Sequence, residues 1–389
     1  MFIQPAALFP AIAELSPLRN VAILALLAYI FSKKDTSESF FSDCTNRNLI
    51  YFILAQILSI ALVWSVGAVS WANIWLLYVI SYYLLVKLVN TQARIIAICL
   101  MIILPILYLS FYSLSSFVID YKPGVRAVGV GWFDNPNDLA CILVSTIPLC
   151  LLVSENYSNI IIRYIMIVSA GLLSFNVLFT ASRGGILGLL FVCASGLFMS
   201  AKISKFLKII ITGLLVVAVV GIGLENVTDR GLEGNLTNDD SATDRIIQWH
   251  AGKRMILAHP FFGVGPDQFE DYAADYGGVP RLAPHNTIVL IFAETGIIGG
   301  YFFLIFAFKQ LKNSIANLKQ DYMDSGIKGD SLIATKYISI AIIGFWICAF
   351  FGNRDRDYIL YILVALLVCA NKIFQQSTRG LDIPPNSIL

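Results

Sequence analysis

Residues 95–117 read IIAICLMIILPILYLSFYSLSSF, an apolar run without a charged side chain, bounded by Arg94 and Asp120. A helix needs about 20 such residues to cross the hydrocarbon core of a bilayer, where nothing but the helix itself can satisfy its backbone. The pattern recurs on both sides. Runs at Leu18–Phe31, Leu49–Ser65, Trp71–Val89, Leu139–Leu152, Ile160–Phe179, Gly185–Met199, Phe206–Leu224, Ile288–Leu311, Lys336–Phe351 and Asp357–Ala370 each predict a further span. Pro5–Leu15 reads as a half-helix or one span more. The expected fold is all-α, a polytopic transmembrane bundle of about 11–12 spans forming one integral membrane domain over residues 1–389. Its one large polar loop runs over residues 225–285.

Composition points the same way. The chain is 58% hydrophobic and 13% charged, with a mean hydropathy of +0.76. A soluble domain carries roughly a quarter charged residues, so this surface is built for lipid. A net charge of +2 says nothing about partners; no nucleic-acid partner is expected. The seven cysteines include no CxxC pair and most lie in apolar runs, as small buried hydrophobes do. No metal and no cofactor is expected. The first apolar stretch contains Pro5, Pro10, Glu14, Pro17 and Arg19 without a basic leader, so a cleavable signal peptide is not expected.

Basic residues in alternate loops give the orientation. One set, including Lys33, Lys87, Lys205, Lys312, Lys336 and Lys372, is larger and mostly lysine; it is read as cytoplasmic. The other holds Lys122, Arg126, Arg183, Arg230, Arg245, Lys253, Arg254, Arg281, Arg354 and Arg356, mostly arginine. Arginine on the outer side runs against the usual charge bias and calls for another reason. A guanidinium presents planar, paired donors that match phosphate or carboxylate. The plainer alternative is pairing with Asp120, Asp134, Asp138, Asp244, Asp355 and Asp357 and contact with headgroups.

Three polar motifs stand where a span enters from the outer side: Arg126 to Asn135-Pro-Asn137-Asp138, Thr180-Ala-Ser182-Arg183-Gly184-Gly185, and Pro284-His285-Asn286-Thr287. Asn137, Asp138, Ser182 and Asn286 are suited to cap helices, whose N-termini offer free N–H groups and partial positive charge. Three such ends with arginines would form an anion site fitted to a diphosphate; three capped helices with no shared site is the alternative. Ser241–Leu257 reads as an amphipathic helix lying along the membrane, with Ile246, Ile247, Met255 and Ile256 opposite Arg245, Lys253 and Arg254 and Trp249 at the interface. Of His250, His259 and His285, the last is the best general-base candidate. A helix N-terminus and nearby arginines favour neutral imidazole. Asp134, Asp138 and Glu294 are lesser candidates, Glu294 because a charge inside a span is costly.

Taken in order, Arg126 to Gly131-Trp-Phe-Asp-Asn135-Pro-Asn137-Asp-Leu-Ala, Ser182-Arg183-Gly184, Asp244-Arg245, His259-Pro-Phe-Phe-Gly-Val-Gly-Pro-Asp-Gln-Phe, His285-Asn286 and Ala293-Glu-Thr-Gly296 resemble the O-antigen ligase and polymerase superfamily of bacterial membrane proteins. The resemblance is strongest from Arg126 to Ile298. It implies glycan transfer on the periplasmic face of the inner membrane, from undecaprenyl diphosphate to a sugar hydroxyl of lipid A-core or of another lipid-linked repeat unit. By position, Arg183 and Arg245 would hold the diphosphate, Arg126 would be a further phosphate ligand, and His285 would activate the acceptor hydroxyl. Asn137, Asp138, Asn286 and Glu294 would support them. Ligase and repeat-unit polymerase remain equally open here. An anion transporter is a further alternative, disfavoured because polar residues gather on one side instead of at the midplane; a non-catalytic scaffold would have no use for His285.

Overall fold

A computed structural model describes residues 17–31, 39–63, 68–119, 125–199, 213, 240–323 and 330–378. The helices among them are α1 (Pro17–Phe31), α2 (Cys44–Val63), α3 (Ala68–Leu88), α4 (Gln92–Ile119), α5 (Pro136–Asn156), α6 (Ile160–Phe179), α7 (Arg183–Met199), α8 (Asp240–Ala258), α9 (Phe269–Tyr272), α10 (Thr287–Met323), α11 (Asp330–Ala349) and α12 (Tyr358–Thr378). The described chain is an all-α helical bundle. Among the described residues, seven helices are long and apolar enough to cross a membrane, namely α2, α4, α5, α6, α10, α11 and α12. Shorter apolar helices cover Asn20–Phe31, Ile74–Leu88 and Arg183–Gly196. Every apolar run predicted within the described residues forms a helix; Pro5–Leu15 and Phe206–Leu224 lie outside them.

Burial separates centre from rim. The apolar windows of α5, α11 and α12 are 83%, 72% and 78% buried, whereas those of α2, α4 and α6 are 39%, 44% and 33% buried. Helix α11 packs against both α5 and α12, around Leu143, Ile338, Phe345, Leu363 and Leu366. The rim helices turn Leu54, Met101, Phe111, Ile161 and Val168 outward, as lipid contact requires. Of these central helices, α5 carries Asn137 and Asp138 at its start, and Arg354 lies in the link between α11 and α12.

Helix α10 is broken. Gly296 has φ 65° and ψ −169°, a region open essentially to glycine. The break strands carbonyls that an intact helix would satisfy, and the loop after α8 fills it. Val264 N–H donates to the Ala293 carbonyl at 2.9 Å and Gly265 N–H to that of Glu294 at 3.0 Å, while Ile297 N–H donates to the Pro260 carbonyl at 2.8 Å. From α2, the Ser59 hydroxyl donates to the Phe262 carbonyl at 2.6 Å. Gly263 and Gly296 touch backbone of the opposite segment so closely that neither has room for a Cβ. Thus the Pro260–Gly265 loop and the Glu294-Thr-Gly296 segment are two halves of one joint.

Candidate active site

The entry to α5 is capped by Asn135, whose side chain accepts from Asn137 N–H at 2.9 Å, with Pro136 in the first helical position. The expected caps Asn137 and Asp138 are thereby corrected: with Pro at the first position, the cap falls one residue earlier. Both side chains are released for other partners. Asn137 accepts from Arg126 Nη2 at 3.0 Å, and Arg126 Nε donates to the Thr180 carbonyl at 2.6 Å. Ala127 N–H donates to the Phe179 carbonyl at 2.9 Å. Arg126 therefore latches the extended segment before α5 to the end of α6, where terminal carbonyls need donors. This is the geometry of a positioning residue.

The entry to α7 follows at once. Ala181 is left-handed (φ 46°), and the Ser182 hydroxyl accepts from Gly185 N–H at 3.2 Å. A Cβ on Gly185 would lie 2.5 Å from that of Ala140, and one on Gly184 would lie 3.2 Å from Phe351. The glycines let α7 begin wedged between α5 and the end of α11. Arg183 is exposed and is the first residue of the helix. A cation there opposes the helix dipole, typically by about 0.3–1 kcal/mol; a bound anion would reverse that sign.

At the entry to α10, Asn286 accepts from the N–H groups of Ile288 at 3.0 Å and Val289 at 3.1 Å. The preceding His285 is half-buried and left-handed, with φ 48°. Beside it stands a buried arginine that sequence reading counted only among the outer basic residues. Arg354 N–H donates to the Thr287 hydroxyl at 2.8 Å, and its guanidinium pairs with Asp138 at hydrogen-bond contact and with Asp357 at 3.5 Å. Arg356 reaches Asp267 at 2.9 Å and Asp355 at 3.5 Å. The alternation Arg354-Asp-Arg-Asp357 was the available signal.

The loop helix completes the group. In α8, Gln248 donates to the carbonyls of Val279 at 2.8 Å and Leu282 at 2.6 Å, and Trp249 Nε1 donates to that of Pro284 at 2.8 Å. Gly252 lies against Val289 with no space for a Cβ. The buried face of α8 is Gln248, Ala251, Gly252 and Met255, while Ile246 and Leu257 are exposed. This corrects the expected apolar stripe: α8 docks on the start of α10, and Trp249 tethers the residue before His285. Arg245, one turn from Trp249, is half-buried. Burial and the guanidiniums of Arg245 and Arg354 hold the His285 imidazole below its usual value, with Asp138 pulling the other way. Asp357, half-buried in the same group, has its carboxyl pushed up by desolvation to about 6 against the pull of Arg354.

Glu294 stands apart from this opening. It is buried two turns down α10, where Oε1 accepts from Phe269 N–H at 3.2 Å. It pins α9 to the helix break. His259 Nε2 is bonded to the Tyr276 hydroxyl at 2.8 Å, and His250 is exposed. Asp134 forms the end of a short turn over Gly131–Phe133. One end of the bundle thus gathers Arg126, Asn137, Asp138, Arg183, Arg245, His285, Asn286 and Arg354, drawn from segments far apart in sequence.

Residues 168–304 match the family profile described as O-antigen ligase. A protein of Rickettsia conorii named "Putative polysaccharide ligase" is 30% identical over 171 residues, which is 41% of this chain and 39% of that one. A protein of the same description from Rickettsia prowazekii is 28% identical over 209 residues, 47% of each chain, and one from Rickettsia typhi is 29% identical over the same span. The matched stretch covers less than half the length of each relative. The profile takes in the entries to α7 and α10, the loop helix and the broken segment that hold the arginines and His285. Over that segment, this multi-pass membrane chain is similar to the O-antigen ligase family.

Proposed function

We propose that the chain is a periplasmic-face glycosyltransferase of the inner membrane, moving a glycan from undecaprenyl diphosphate to a sugar hydroxyl. The observation that carries this reading is the placement of His285 between Arg245 and the Asp138–Arg354 pair, beside the entry to α7 that presents Arg183. The step is a displacement at the anomeric carbon. The acceptor oxygen forms the new glycosidic bond as the bond to the diphosphate oxygen breaks. The acceptor proton passes to neutral His285, and the electron pair leaves with the lipid diphosphate. Arg183 and Arg245 stabilise the charge that develops on the departing oxygens, where fixed donors in a partly dehydrated site act most strongly. The helix N-terminus behind Arg183 adds partial positive charge in the same place. The acceptor is lipid A-core in a ligase and a second lipid-linked repeat unit in a polymerase; the residues above serve both.

The test is transfer by the purified chain from lipid-linked glycan, with lipid A-core and a lipid-linked repeat unit offered separately. Arg183→Lys and Arg245→Lys should each lose most activity, because lysine keeps the charge and loses the two-pronged donor. Near-normal transfer by either variant would reduce that arginine to a generic cation. Orientation is tested in intact cells. A single cysteine at the exposed Arg281 should react with a membrane-impermeant maleimide, and one at Lys319 should not. The reverse pattern would put the site on the cytoplasmic side and end the periplasmic reading.

A further inference from the structure

We propose that the cleft between the Gly131–Phe133 turn and the start of α12 holds a neutral sugar ring of the acceptor glycan, stacked on Trp132. The assignment rests on the transfer reaction above and names the acceptor's place in it. The cleft is open to solvent and is lined by Trp132, Asp138, Arg354, Arg356, Asp357 and Tyr358, with Phe133 and Ile142 behind. That mix of aromatic wall and few polar groups suits a small polar ligand.

Trp132 is 62% exposed, yet its turn is fixed. Gly129 N–H donates to the Phe133 carbonyl at 2.6 Å and Asp134 N–H to that of Gly131 at 3.2 Å. A large indole held out of the core on a closed turn is a platform for the C–H face of a pyranose. The polar wall selects against phosphate. Two guanidiniums face two carboxylates, Asp138 and Asp357, so the cleft has no net positive charge to offer, and carboxylates repel a diphosphate. Hydroxyls, which both donate and accept, can use both kinds of group. Arg354 Nε is buried and has no hydrogen-bond partner among the described residues. The cleft also has the right neighbour. Its inner wall is the Asp138–Arg354 pair, and Arg354 N–H is bonded to Thr287, two residues from His285. A sugar on Trp132 can therefore present a hydroxyl toward His285 while the diphosphate lies on the side of Arg183 and Arg245.

The test uses the full purified chain, lipid-linked glycan as donor, and glycolipid extracted from the cells that make this protein as the acceptor probe. Trp132→Ala should raise the KM for the glycolipid about tenfold, the worth of one ring-stacking contact, with the KM for donor little changed. Trp132→Phe should recover most of the loss, since a smaller ring keeps the platform. Direct binding of the glycolipid without donor should weaken in the same order. A rise confined to the donor KM would put the lipid diphosphate in the cleft, and unchanged constants would leave Trp132 an interfacial anchor; either overturns the proposal. Glycolipid binding that depends on Trp132 in a wild-type chain that transfers nothing would uphold the cleft and remove the transfer reading.

Discussion

His285→Ala should lower turnover by about 100- to 10,000-fold, the usual contribution of a positioned base, while donor binding stays near normal. An alcohol is a weak nucleophile, and its proton must leave as the glycosidic bond forms. His285 is the half-buried imidazole at the opening, and burial with two nearby guanidiniums keeps it neutral and able to accept. Because that depression delays protonation as pH falls, the acidic limb of kcat/KM should lie below the ordinary histidine value of about 6.5. Arg245→Gln removes one of the depressing cations, so the limb of its residual activity should move upward. His250→Ala and His259→Ala should be mild, one being exposed and the other bonded to Tyr276. Turnover, donor binding and the pH profile are measured on each purified variant. Substantial turnover by His285→Ala would pass the base role to Asp138, and loss of donor binding would move His285 to the diphosphate site.

The membrane helices were legible because lipid imposes a demand that local sequence must meet by itself: continuous apolar length. Ser182 and Asn286 were legible as caps for a similar reason, since a cap bonds within three residues of its own position. What could not be read was pairing across the chain. Arg354 looks in sequence like a partner for its neighbours Asp355 and Asp357, but its tightest bond is to Asp138, 216 residues away. Glu294 stands out in sequence because a charge in a span is costly; its bond from Phe269 N–H comes from a loop whose path depends on the break at Gly296. The stripe on α8 was misjudged because hydrophobic period assumes an apolar neighbour. The neighbour is the polar backbone of residues 279–284, so Gln248 and not Ile246 faces inward.

The left-handed residues follow the same division. Of the four non-glycine residues with positive φ among the described ones, Arg281 is the fourth and Ala181, Asp267 and His285 are the three that concern the site. Each stands where a loop meets the opening: before Arg183, at the partner of Arg356, and at the base itself. Such backbone costs of order 1–3 kcal/mol per residue and persists only where the surroundings enforce it. Here the enforcement is visible in the Arg126 latch, the Trp249 tether and the loop set into α10. The site's residues are held by contacts that do no chemistry, which is why a change well removed from His285 can be as damaging as one beside it.

Gly296→Ala is the strongest such case and should cost the docked loop. The residue combines φ 65° and ψ −169° with contact against the Phe261 carbonyl, so alanine meets both backbone strain and a clash with backbone that cannot rotate away. Strain alone is about 1–3 kcal/mol. Straightening α10 would relieve it, but only by expelling residues 260–265 and their bonds to Ala293, Glu294 and Ile297. The loop then loses its seat, α8 loses one of its anchors, and Arg245 is no longer held near His285. The expected result is protein that inserts as helices, is cut readily by protease between residues 260 and 284, unfolds at lower temperature in detergent, and transfers no glycan. Gly171→Ala is the control. Its added Cβ meets nothing within 4 Å, and alanine favours a helix over glycine by about 1 kcal/mol, so that variant should match or exceed the wild type. Wild-type protease resistance and melting temperature in Gly296→Ala would mean that the joint is not what holds the loop, and the positioning of Arg245 would need another cause.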